Sequence, residues 1–296
     1  PFYGALPFEQ QQKAIAPADP SDTRRRVILS TSLAESSLTI SGVRHVVDSG
    51  LRRISAYDQN VGMSALVTRP ISAAAAEQRA GRAGRVAPGT AHRLWSEAEN
   101  ARLQPQCLPE VSSTDLAPLV LQLAAWGGSV NDDEVFKLPW LTPPPAAALE
   151  RARSLLLGLG ALSAADSKVT ITPHGTLLAS LPAHPRLAHI IIKAASEGGS
   201  DDALEVACAA VAVLEERDVL RGGAKEHGSD LRKRVRAMLE RSPPDTANVA
   251  AWRRAEKAMK ELQRQAGRLA KSSSSSKGDG EEDDAMSGLA AAFAAE

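Results

Sequence analysis

Aromatic side chains are scarce in this chain: ten in 296 residues, or 3%. A platform on which successive bases stack is therefore not expected. Any contact to nucleic acid should run through phosphate and sugar, and should be salt-dependent and sequence-tolerant. There are two cysteines, Cys107 and Cys208, far apart and with no ligand cluster around either. That sets aside a zinc site and a disulfide framework and fits a reducing compartment. No run of 18 apolar residues occurs, so no membrane-spanning helix is expected. No Gly-x-x-x-x-Gly-Lys-Ser/Thr phosphate loop occurs either. The lysine that such a loop brings to phosphoryl transfer is thus not supplied here. The first residues, PFYGALPFEQ, carry neither Met nor a signal-peptide pattern. The expectation is a fragment.

What is present begins with charge. The 35 basic and 35 acidic residues cancel, but unevenly. Residues 277–296 hold one Lys and six acids, whereas 217–271 hold 15 Lys and Arg against 7 acids. The second segment is either a polyanion-facing surface or a solvated helix face, and charge alone leaves both open.

Residues 1–111 read as α/β with a mostly parallel sheet. RRRVILS is a β-branched run, and Ser32 with Glu35 three residues on has the spacing of a capping box. VRHVVDSG reads as a buried strand with His45 packed inside it. RRISAYDQNVGMSALVTRPIS reads as a hairpin turning near 58–62, and GTAHRLWS as a further strand. In residues 112–181 the pattern becomes helix, helix, β wing. Leu116, Leu119, Val120, Leu123 and Trp126 form one stripe, and PHG reads as a turn holding His174. Residues 182–270 read as an all-helical bundle. There Trp252, Ala255, Met259, Leu262, Ala266 and Leu269 alternate in steps of three and four. Residues 271–288 read as a disordered Ser-rich acidic linker, and LAAAFAAE at 289–296 as the start of a further domain.

The stretch QRAGRAGR, residues 78–85, has three arginines and no acid. Guanidinium groups are rarely buried without partners, so an external anion is the simplest partner. If the segment is helical, Gln78, Arg82 and Arg85 fall at i, i+4 and i+7 on one face. Gly81 and Gly84 would then let another surface approach, and the arginine forks could hold a phosphate. The competing reading is an exposed helix with surface ion pairs. Elsewhere, Asp48 and Asp58 show no paired-carboxylate arrangement.

QRAGRAGR resembles motif VI of superfamily 2 helicases. STSLAESSLTISGVRHVVDSG (30–50) resembles motif V of their DEAH-box branch, and YGALPFEQQQKAI (3–15) its motif IV region. PWLTPPPAAALERARSLLLGLGAL and TPHGTLLASLPAHPRLAHIII resemble the winged-helix and ratchet-like domains that follow, nearest the HrpB type. The resemblance spans about residues 1–270. It implies a second RecA-like domain at 1–111, a winged helix at 112–181 and a ratchet-like bundle at 182–270. It further implies an ATP-dependent helicase acting on single-stranded nucleic acid, RNA favoured, with a first RecA-like domain in cis that binds most of the Mg²⁺. Gln78 would reach the γ-phosphate or the attacking water, and Arg82 and Arg85 would act as arginine fingers, leaving Arg79 a structural role. Ser41 would lie near the nucleotide, where the family pattern has an acid. Ser30, Thr31, Arg53 and Arg254 would meet nucleic acid, and the 53–68 hairpin would act as a wedge. By itself the fragment is expected not to hydrolyse ATP. The expected compartment is cytoplasmic or organellar, a plastid included. The alternative is a non-catalytic module that binds nucleic acid or a partner.

Overall fold

A computed structural model describes residues 1–275 apart from 5, 18–20, 22–23, 36–39, 59–61, 86, 166–167, 197–200 and 241. The chain divides into two compact units, Pro1–Thr114 and a second from Asp115 onward.

In the first unit, α1 (Phe8–Ile15) precedes a 3-10 turn at Ser32–Glu35. A parallel pair, β1 (His45–Asp48) with β4 (Thr90–Arg93), runs in register His45 to Thr90 and Asp48 to Arg93; of β1 only Asp48 is buried, so the strand expected to be buried is largely exposed. Between them run the antiparallel hairpin β2 (Leu51–Asp58) and β3 (Met63–Pro70), then α2 (Ala73–Ala80). A short α3 (Glu97–Ala101) follows β4 and carries a complete capping box, Ser96 with Glu99.

Three expectations need correction here. RRRVILS is not a strand: Arg25–Leu29 have no regular structure, and one parallel bridge, Phe2 to Ser30, stands in its place. A β-branched run forms a strand only where a neighbour offers a ladder along its length. Ser32 and Glu35 do not make a capping box. The Leu33 N–H is instead given to the Thr31 hydroxyl at 3.4 Å, and the Glu35 carboxylate is taken by an arginine. His45 is exposed rather than packed, with Nδ1 2.6 Å from Thr90 Oγ1. The expected hairpin turn lies outside the described residues at 59–61, but Gly62, at φ 68°, returns its N–H to Asp58 O at 2.8 Å.

The second unit opens with α4 (Ala117–Ala125), α5 (Asp132–Val135) and α6 (Ala146–Gly158). The hairpin β5 (Leu162–Ala165) and β6 (Lys168–Ile171) follows, then α7 (Pro173–Ala179). Leu149, Ala152 and Leu156 of α6 are buried at helical spacing, and Gly160 at φ 69° turns the chain into β5. The stripe on α4 is buried at Leu116, Val120 and Leu123 but fails at Trp126, which is 82% exposed. The helix stops at Ala125, but the Trp126 N–H still bonds to Gln122 O at 3.1 Å, so Trp126 keeps the face its spacing predicts at a helix end that is left uncovered. His174 is not in a turn. Pro173 opens α7, with the Thr172 hydroxyl accepting the Gly175 N–H at 3.0 Å.

The unit continues with α8 (Pro185–Ser196), α9 (Asp201–Glu215), α10 (Ala224–His227), α11 (Leu231–Leu239) and α12 (Val249–Ser275). α12 packs on α8, α9 and α11. All six residues of its predicted stripe, Trp252 to Leu269, are buried. Each large one stabilises by about 1.5–3 kcal/mol on burial. The helix also runs to Ser275, past the expected end of the bundle at 270 and into the first residues of the segment read as a linker. Serine costs a helix only a few tenths of a kcal/mol per residue, too little to stop one already nucleated by packing. Cys208 is buried in α9, and burial pushes its thiol up to about 12, which makes it inert.

One contact inside this unit predicts a pH effect. His174 Nε2 lies 2.9 Å from His189 Nδ1, joining α7 to α8 with a single shared proton. Burial first, then the charges of His189 and Lys193, hold the His174 pKa below its ordinary value. A depressed histidine binds its proton more weakly in the folded state than in the unfolded one. Stability is therefore full above the unfolded value of about 6.5 and falls as pH drops below it. The melting temperature of the second unit is expected to fall between pH 7.5 and 5.5, and to fall less in His174→Gln. Equal falls in both proteins would show that this pair does not couple folding to protons.

Candidate nucleotide and nucleic-acid site

The site is built on α2. Ser72, extended ahead of the helix, accepts the Ala75 N–H at 3.2 Å. The N–H groups of Ala73 and Ala74 go to the carbonyls of Gln104 and Pro105. Ala75 and Ala76 are buried beside Ile71 with Trp95 against them. The run of alanines thus lets α2 sit close to the strand pair.

The helix ends before the arginines do. Gly81 closes the last i to i−4 bond, to Glu77 O. Arg82 and Ala83 then bond back three residues, to Arg79 O and Ala80 O, both at 3.0 Å. Gln78 is therefore helical, while Arg82 and Arg85 stand on the turn that follows. This corrects the expected continuous helix with its i, i+4, i+7 face. The chain must return at once to β4, and it does so through Gly89. A Cβ there would lie 2.4 Å from both Ala83 O and Arg44 O. Gly81 and Gly84 also cost a helix about 1 kcal/mol each relative to alanine.

Arg79 has internal partners. Its Nε donates to Glu35 at 2.9 Å, and its Nη1 to Asp48 at 2.8 Å and to the Leu51 carbonyl at 3.2 Å. Burial lowers the guanidinium pKa, but the two carboxylates outweigh it and raise the value overall. The external anion predicted for the acid-free stretch is thus not the partner of Arg79. Arg82, half-buried, donates from Nη2 to the main-chain carbonyl of Glu35 at 2.5 Å. Gln78 and Arg85 are exposed.

The segment that carries Glu35 begins at Ser30 and Thr31, both exposed. Thr31 N–H goes to Phe2 O at 3.3 Å, and Ser30 Oγ donates to Thr31 O at 2.8 Å. The Thr31 oxygen accepts from Leu33, which leaves its hydroxyl hydrogen available to an oxygen ligand. Ser41 is exposed in a turn beside Gly42 at φ 77°. Arg53 is exposed on β2 opposite Thr68.

The structure thus brings Ser30, Thr31, Glu35, Arg79 and Arg82 together on two packed segments. Arg254 stands on α12 in the second unit, with Nε on Glu216 at 3.0 Å and about half its side chain exposed. Other cations of the basic segment are also paired locally: Arg234 is buried on Asp218, and Lys260 sits on Glu256 at 2.6 Å. The segment is therefore less a bare cationic surface than its composition suggests. Glu35 and Asp48 were not identified from the sequence as part of the site. An acid-free arginine stretch asks where its acids are, and both lie earlier in the chain.

Residues 1–87 match the family model for the helicase conserved C-terminal domain. The chain is 39% identical over 207 residues to the pre-mRNA-splicing factor ATP-dependent RNA helicase prp22 of Schizosaccharomyces pombe, covering 70% of this chain and 17% of that protein. It is 38% identical over 216 residues to the ATP-dependent RNA helicase HrpB of Escherichia coli, covering 73% and 25%. A crystal structure of the Escherichia coli DEAH/RHA helicase HrpB superimposes with a TM-score of 0.71 at 33% identity, over 89% of this chain and 30% of that one. The chain spans less than a third of the length of these relatives. No described helix is long and apolar enough to cross a membrane. This chain is homologous to the DEAH-box ATP-dependent RNA helicases, and its residues 1–87 belong to their helicase conserved C-terminal domain.

Proposed function

We propose that the chain is the second RecA-like domain of an ATP-dependent RNA helicase, with the winged-helix (112–181) and ratchet-like (182–270) domains that follow it. The observation that carries this is the fastening of Arg82 to the Glu35 carbonyl. It places a cation suited to a γ-phosphate on the same packed pair of segments as the exposed Ser30 and Thr31.

Gln78 orients the γ-phosphate or the attacking water. Arg82 and Arg85 take up the charge that spreads over the γ-phosphoryl oxygens in the transition state. Ser41 lies towards the nucleotide and offers a hydroxyl where the family has an acid. A first RecA-like domain in cis supplies the phosphate-loop lysine and the acid box. Among the described residues no group of three His, Cys, Asp or Glu could hold a metal ion. The same first domain would hold most of the Mg²⁺, between its acid box and the phosphates. Ser30, Thr31, Arg53 and Arg254 contact phosphates of single-stranded RNA, which fits the scarcity of aromatics.

The test is binding of this chain to fluorescent oligouridylate across a salt series. Affinity should fall with a slope of about −0.7 per phosphate contacted, and Arg53→Ala should remove about one contact from that slope. Binding that ignores salt, or no binding at 50 mM salt, would set the RNA reading aside.

A further inference from the structure

Resting on that reading, we propose that Glu35 is a positioning residue that ties the nucleic-acid-contacting segment to the arginine turn, so that RNA held at Ser30 and Thr31 sets the placement of Arg82. Glu35 meets two of the three arginines by two different groups. Its side chain holds Arg79, in the last turn of α2, at 2.9 Å. Its main-chain carbonyl holds the Arg82 guanidinium at 2.5 Å. Arg79 and Arg82 are themselves joined by the main-chain bond from Arg82 N to Arg79 O at 3.0 Å. These bonds close a small ring of contacts between the 3-10 turn and the end of α2.

The other end of the same turn is the nucleic-acid end. Ala34 N–H bonds to Thr31 O at 3.3 Å, and Thr31 caps Leu33. Only three residues therefore separate Thr31 from Glu35 and both arginine contacts, in a segment too short to move one end without the other. An Arg82 held by the Glu35 carbonyl also has its remaining N–H groups aimed by that bond. If Glu35 shifts, the fork of Arg82 turns with it. The carboxylate itself touches no reacting atom and acts through Arg79, which fixes the distance between the turn and α2. Asp48 and the Leu51 carbonyl keep Arg79 bonded when that carboxylate is removed, so the variant retains the fold.

Two measurements test this on Glu35→Ala, Glu35→Gln and Arg82→Ala. In the chain itself, oligouridylate should slow hydrogen exchange at the Arg82 and Ala83 amides in the parent. It should do so far less in Glu35→Ala, at unchanged melting temperature and with RNA affinity within about twofold of the parent. In the helicase carrying both RecA-like domains, Glu35→Ala should lower the ratio of RNA-stimulated to basal ATP turnover about tenfold. Glu35→Gln, whose amide oxygen still accepts from Arg79, should recover part of that ratio. An unchanged ratio in Glu35→Ala beside a collapse in Arg82→Ala overturns this inference and leaves the helicase reading standing. A parallel fall of basal and stimulated turnover overturns it too, because that is the signature of a purely structural role. A parent without any RNA stimulation overturns both readings together.

Discussion

Arg82→Ala, in the helicase carrying both RecA-like domains, is expected to cut RNA-stimulated ATP turnover by about 10³-fold or more. The effect should fall on kcat. A guanidinium that meets the γ-phosphoryl oxygens as their charge redistributes contributes chiefly in the transition state. Replacing it removes that contribution, which no neighbouring side chain is positioned to restore. RNA affinity should stay within about twofold, since Arg82 is half-buried on the Glu35 carbonyl and not on the exposed Ser30–Thr31 face. Arg85→Ala should behave similarly. Steady-state turnover with and without oligouridylate, beside anisotropy for RNA, separates the two quantities. Unchanged turnover in both variants would reduce the motif to a basic surface turn and favour a non-catalytic binding module.

Trp252→Ala is expected to destabilise the second unit by about 3–5 kcal/mol. The indole is 3% exposed, and its Nε1 donates to the Ala237 carbonyl of α11 at 2.8 Å. Truncation therefore opens a cavity between α11 and α12 and leaves a buried carbonyl without its donor, two costs that add. Trp252→Phe keeps most of the volume and loses only the hydrogen bond, so it should cost about 1–3 kcal/mol. Urea unfolding followed by circular dichroism measures both. A loss below 1 kcal/mol in Trp252→Ala would show that α12 is held by the rest of its stripe.

Those two sites differ in how they could be known beforehand. The α12 stripe is legible because helical period is a local property. Residues three and four apart share a face whatever surrounds them, and a face of Trp, Ala, Met and Leu has one place to go. The β2–β3 hairpin is legible for a similar reason, through alternation and a turn-forming Asn and Gly. Trp126 matches its stripe equally well and is exposed, because periodicity gives a residue's face and not what covers that face. RRRVILS is as β-branched as a strand should be and has one bridge. Ladder hydrogen bonds belong to two segments, and the second is not written in the first.

The site divides along the same line. The sequence by itself determined which chemical groups are on offer: the arginines of QRAGRAGR and the hydroxyls of STS. These are properties of residue type and spacing, and the proposal of a phosphate ligand rests on them. Only the tertiary structure decided which arginine has which partner. Spacing sets Arg79 apart from Arg82 and Arg85 but names no partner for any of them. Yet Arg79 is closed on Glu35 and Asp48, Arg82 is fastened to a main-chain carbonyl, and Arg85 stands exposed. Glu35 lies 44 residues from Arg79, and Asp48 31 residues. An ion pair depends on distance in space, and for residues so far apart in the chain only the packing of α2 on β1 and on the 3-10 turn sets that distance.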